Sequence, residues 1–154
     1  MQNTKNPLIF LVEDSVVYRD LIVGYLQSKK YKNVQTFQNG EECLKAIDKK
    51  PDIIILDYSY DGISGLELMQ SVKIEHPEQA MQAGAELCRQ LDLEMAVITL
   101  DADGMALVPR ETEGKVYSTK ARSVFDITGA GDMVGEAVLE ACYRVEDRFA
   151  NVFW

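Results

Sequence analysis

Three carboxylates stand where a parallel sheet would gather them. Glu13 and Asp14 directly follow the apolar run Leu8–Val12, and Asp57 directly follows Asp52–Leu56. In an open α/β sheet, ligands collect beyond the carboxyl ends of the strands. If the two runs are neighbouring strands, the three acids share one crevice. Like charges held that close repel unless a hard cation such as Mg²⁺ neutralises them. A carboxylate beside such a cation can attack phosphorus while the metal offsets charge on the transferred group. The plainer alternative stays open: acids at strand ends also cap helices and remain solvated. A second candidate lies further along. Gly129, Ala130 and Gly131 form a turn of small residues before an apolar, helix-like stretch. Free backbone N–H groups there would make an anion pocket, and Asp132 in the first turn could take a proton from a hydroxyl. Ordinary turns produce the same string.

Both candidates depend on the elements that carry them. The runs LIFLV and DIIIL read as strands buried on both faces. Between them, Ser15–Ser28 reads as a helix with Val17, Leu21, Ile22, Tyr25 and Leu26 inward. Asn33–Gln38 reads as a strand, and Glu41–Asp48 as a helix with Cys43, Leu44 and Ile47 inward. Residues 65–75 return to helical spacing. After His76-Pro77, Glu78–Asp92 is expected to be a helix with Met81, Ala85, Cys88 and Leu91 inward. Met95–Leu100 is a further buried strand. Met105–Val108 and Lys115–Ser118 look like short antiparallel strands, and Met133–Tyr143 like a last helix. The expected fold is α/β, a three-layer α/β/α arrangement. Its sheet is mostly parallel, flavodoxin-like or Rossmann-like, with a short antiparallel extension.

The 154 residues suit one domain, and 47% hydrophobic with 27% charged is a globular balance. A net charge of −9 argues against a protein that grips nucleic acid or an anionic membrane. Cys43, Cys88 and Cys142 are widely spaced, which suggests buried apolar thiols in a reducing compartment. The first apolar run is soon broken by acids, unlike a signal peptide, and no run approaches the ~18 residues of a membrane span. A cytoplasmic monomer or homodimer is the expectation.

Longer strings carry two resemblances. LIFLVEDS together with NGEECLKAIDKKPDIIILDYSYDGISGLELM resembles the receiver domains of bacterial response regulators, over about residues 7–78. The resemblance implies that Asp57 is a phospho-acceptor. It also implies that Glu13 and Asp14 help to bind Mg²⁺, with the backbone carbonyl of Ser59 as a further ligand. Thr99 would be the switch hydroxyl, although it lies 42 residues beyond Asp57, further than the family spacing, and is followed by Leu100 rather than a small residue. Asp61 stands where the family usually has proline, and no Lys-Pro pair follows the later strands. The second string, LDLEMAVITLDADGMALV followed by STKARSVFDITGAGD, resembles the ribokinase family of carbohydrate kinases, over about residues 78–143. That resemblance implies an anion hole at Gly129, Ala130 and Gly131, a catalytic base at Asp132, and Asp126 as the leading acid of the motif.

Each family's machinery looks incomplete, and the two signatures meet near residues 76–80 without a linker. The expectation is an engineered chimera folded as one compact unit, with residues 144–154 as a closing helix or tail. It would not be an enzyme, would keep a receiver-type site, and would have lost its cognate signalling partners; the alternatives are a phosphorylatable response-regulator signalling module and a minimal sugar-kinase fragment using Gly129-Ala130-Gly131-Asp132.

Overall fold

The structure, a computed structural model, describes residues 6–57, 77–99, 105–110 and 114–117. The described chain runs β1 (Ile9–Val12), α1 (Val16–Ser28), β2 (Val34–Phe37), α2 (Gly40–Lys45), a 3₁₀ turn (Ile47–Lys49), β3 (Ile53–Asp57), α3 (Pro77–Leu91), β4 (Met95–Thr99), β5 (Met105–Pro109) and β6 (Lys115–Tyr117). One six-stranded sheet has the order β2-β1-β3-β4-β5-β6. The first four strands in that order are parallel; β5 and β6 are antiparallel. The fold is therefore α/β with a mostly parallel sheet and an antiparallel extension.

Alternation within each buried strand divides the core into two layers. Phe10, Val12, Ile54, Leu56, Ala96, Ile98, Ala106 and Val108 face the side covered by α2 and α3. Ile9, Leu11, Ile53 and Ile55 face α1, where Ile22 and Leu26 meet them. Because side chains alternate along a strand, no polar residue fits within β1, β3 or β4 until a strand ends. That is why the acids begin where the apolar runs stop.

The helices dock on narrower or different stripes than hydrophobicity suggested. In α1, Ile22 and Leu26 are buried, but Val17 and Leu21 are 65% and 54% exposed. Residues 17 and 21 share a stripe about 100° from that of 22 and 26, and only the latter faces β1 and β3. In α3, Ala80, Ala83, Gly84, Leu87 and Cys88 face the sheet, whereas Ala85 is exposed. Small residues decide this contact. A Cβ on Gly84 would stand 2.5 Å from Val108 Cγ2, so the helix lies closer to β5 than any side chain at 84 permits. The α2 helix is shorter than expected, giving way to the 3₁₀ turn after Lys45. Ser15 caps α1 and Asn39 caps α2 by accepting from Tyr18 N–H and Glu42 N–H.

Among the described residues, three that are not glycine take left-handed backbone: Lys30 (φ 74°), Lys50 (φ 55°) and Asp92 (φ 56°). Each lies in the turn before a parallel strand, at the amino edge of the sheet. An L side chain there costs about 1–2 kcal/mol, partly offset in glycine variants by greater unfolded-chain entropy. Lys30→Gly and Lys50→Gly are each expected to stabilise the fold by about 0.5–1 kcal/mol, read as a rise in the urea midpoint at unchanged slope.

Candidate functional site

Register places the crevice. Val12 pairs with Leu56, so Glu13, the first residue after β1, comes level with Asp57 at the end of β3. Asp57 in turn pairs with Thr99 at the end of β4. Residues 13, 57 and 99 share the parity of Ile9, Ile53 and Met95, so all three project on the α1 side of the sheet. Neighbouring parallel strands lie about 4.8 Å apart. The geometry agrees: carboxylate oxygens of Glu13, Asp14 and Asp57 all lie within 4.8 Å of one another.

The three acids sit in different surroundings. Asp14 is exposed and Asp57 half-buried, while Glu13 is only 1% exposed. The backbone of Glu13 extends the β1–β2 ladder by donating to Phe37 O at 3.0 Å. Its Oε1 accepts from Ser15 N–H at 3.0 Å, but its buried Oε2 has no hydrogen-bond partner. Burial, then the charge of Asp57, pushes the Glu13 carboxyl up to about 8, against the lowering effect of the Ser15 N–H. Thr99 is buried and donates its hydroxyl to Asp57 Oδ1 at 3.0 Å, with Leu56 O at 3.4 Å. The long sequence interval between Asp57 and Thr99 thus does not keep them apart, because β4 pairs directly with β3.

A divalent cation fits this donor set. Three hard oxygen ligands converge, and one of them is a buried carboxylate oxygen that lacks a partner. When bound, the cation would supply charge neutralisation and polarise a phosphoryl oxygen. Of the other expected site residues, Ser59 and the whole element Asp126, Gly129, Ala130, Gly131 and Asp132 lie outside the described residues. Cys43 and Cys88 are buried, and burial pushes both thiols up to about 12, so neither is a nucleophile at neutral pH. Sequence reasoning did not anticipate that Glu13 would be the most buried of the acids. The signal was present in its position: it continues the inward alternation of β1, whereas Asp14 falls on the helix approach.

An α/β sheet with this acidic group at its carboxyl edge fits a phospho-acceptor site of the receiver type. Residues 9–83 match the response regulator receiver domain. The chain is also similar to the bifunctional protein HldE of Sulfurimonas denitrificans, at 31% identity over 90% of this chain and 31% of that one. HldE of Geobacter sulfurreducens is 32% identical over 77% of this chain and 25% of its own length. The chain spans less than a third of the length of these relatives. Among solved structures, a phosphofructokinase-2 variant from Escherichia coli overlays 88% of this chain and 45% of its own, with TM-score 0.50 and 14% identity. That likeness is one of fold.

These comparisons correct one expectation. A chain that is no enzyme does not agree with similarity to bifunctional HldE proteins and a kinase-like fold, though coverage of each is partial. The alignment with the Sulfurimonas denitrificans protein extends over 90% of the chain and so includes residues before 78. Among the described residues, no helix is long and apolar enough to cross a membrane.

Proposed function

We propose that the crevice is a cation-dependent phospho-acceptor site in which Asp57 receives the phosphoryl group. The observation that carries this reading is the buried, unpartnered Oε2 of Glu13 within 4.8 Å of the Asp14 and Asp57 carboxylates. Three such groups tolerate one another while Glu13 holds its proton, and a cation lets all three ionise together. Glu13 and Asp14 hold the cation. Thr99 fixes the rotation of the Asp57 carboxyl through its hydrogen bond to Oδ1. A carboxylate oxygen of Asp57 attacks the phosphorus of a small acyl phosphate; the bond from phosphorus to the acyl oxygen breaks, and the donor leaves as a carboxylate. No proton need move.

The test is mass spectrometry after incubation with acetyl phosphate and Mg²⁺. The expected result is a gain of one phosphoryl group, lost on omitting Mg²⁺ and lost in Asp57→Asn. A folded protein that gains none, or an Asp57→Asn variant that still gains one, would sink the reading.

A second reading, phosphoryl transfer from a nucleotide by the segment containing Asp132, is favoured by the similarity to HldE over most of the chain. Calorimetric binding of ATP at millimolar concentration, with loss in Asp132→Asn, supports it; no heat of binding removes it. We also infer that the chain unites receiver-derived and kinase-derived segments in a reducing, cytoplasmic setting. In support, the receiver match ends inside α3, at residue 83, and strand direction changes after β4.

A further inference from the structure

We infer that the α1 side of β4 and β5, beside Thr99, is a docking face for a segment of this same chain, residues 133–143. This face is buried, yet no described element buries it. Met95, Val97 and Thr99 of β4 project on that side, as do Met105 and Leu107 of β5, and all five are 0–1% exposed. α1 supplies Ile22 and Leu26, with Val23 beside them, over β1 and β3. A helix is about 10 Å across and strands lie about 4.8 Å apart, so one helix covers about two strands. α2 and α3 pack on the other face. The burial arises within a single chain, so the cover is one of its own segments.

Chain length selects the segment. Residues 100–104 and 111–113 only join neighbouring antiparallel strands, and residues 1–5 precede β1, two strands away from β4. Residues 58–76 begin where β3 ends and finish where α3 begins, on the opposite face. Were 65–75 a helix on the α1 side, residue 76 alone would have to carry the chain round to Pro77. Helices on opposite faces of a sheet stand about 20 Å apart, whereas two residue steps reach about 7 Å.

The chain after β6 remains. Residues 118–132 are mostly polar or small, and long enough to return from Tyr117 to this face. Beyond them, Val134, Val138 and Ala141 recur four and then three residues apart, the apolar stripe of a helix, with Glu136 and Glu140 on the far side. Residues 133–143 as a helix would be about 16 Å long, which matches a strand of the length of β5 at about 3.3 Å per residue. Such a cover needs no phosphoryl chemistry, so it stands or falls apart from the phospho-acceptor reading.

Methionine oxidation in the full chain tests it. Hydrogen peroxide attacks accessible thioethers. Peptide mass mapping reads Met95 and Met105, on this face, separately from Met81, which packs on the other. In Val138→Asp, Met95 and Met105 should oxidise about tenfold faster than in wild type, with Met81 unchanged. Glu136→Lys, on the polar stripe, should leave all three rates as they are. Val138→Ala is mild enough to keep the fold and should show the same selective rise at about threefold; it decides the matter if Val138→Asp does not fold. Unchanged Met95 and Met105 rates in the folded Val138 variants overturn the inference. So does a rise shared equally by Met81, which reports general loosening. A selective rise in Phe149→Asp but not in Val138→Asp also overturns it, by assigning the cover to residues 144–154.

Discussion

Glu13→Gln should make the metal-free protein more stable while erasing its response to Mg²⁺. Gln keeps an oxygen to accept the Ser15 N–H, which Glu13 Oε1 now does at 3.0 Å. Its amide can donate towards the neighbouring carboxylates at any pH, whereas Glu13 can do so only while protonated. Above about pH 8, where Glu13 ionises, a buried acceptor without a partner is thereby replaced by a donor among acceptors, worth about 1–3 kcal/mol, or several degrees in melting temperature for a domain of this size. Wild type should gain thermal stability with Mg²⁺, by linkage; the variant should gain almost none.

The pH dependence follows from the same group. The folded Glu13 carboxyl is raised from 4.5 to about 8. Stability from this group is therefore fully present below about pH 4.5 and is lost as pH rises towards 8, because only the folded state resists ionisation. Between those limits, metal-free wild type should lose stability with rising pH relative to Glu13→Gln. Added Mg²⁺ should oppose the loss by binding the ionised form. Parallel slopes for the two proteins across this window, measured by urea unfolding, would refute the assignment.

Gly84→Ala should lower stability by about 1–3 kcal/mol through overpacking, and the loss should be felt at the acidic crevice. The new Cβ would meet Val108 Cγ2 at 2.5 Å and Val108 Cβ at 2.8 Å, on a sheet strand that cannot swing aside. β5 is tied to β4 over five register pairs, and β4 to β3 over five more, the last of them Asp57 with Thr99. One sheet carrying both halves should unfold in one transition. Far-UV ellipticity and a probe near Asp57 should report the same midpoint in wild type, shifted equally by Gly84→Ala. Two separated midpoints would mean that α3 to β6 fold apart from β1 to β3.

Much of this was readable from residue order. Continuous apolar runs could only be strands covered on both faces, so β1, β3 and β4 were evident, and the acids at their ends followed. Ser15 and Asn39 announced helix starts by their capping chemistry. Helix faces were less legible. Val17 and Leu21 look as apolar as Ile22 and Leu26, and only contact with β1 and β3 distinguishes them. In α3 the buried stripe is mostly alanine, glycine and cysteine beside Leu87, because the helix lies close against Val108.

Local sequence, then, determined the residue types of the crevice: strand periodicity puts a polar residue at each strand end, whatever the strand's neighbours. Tertiary structure alone decided that β1, β3 and β4 lie side by side in register. Strand order is a non-local choice, governed by how helices cover the two faces. That choice brings Thr99 onto Asp57 across 42 residues of chain and buries Glu13 without a partner for Oε2.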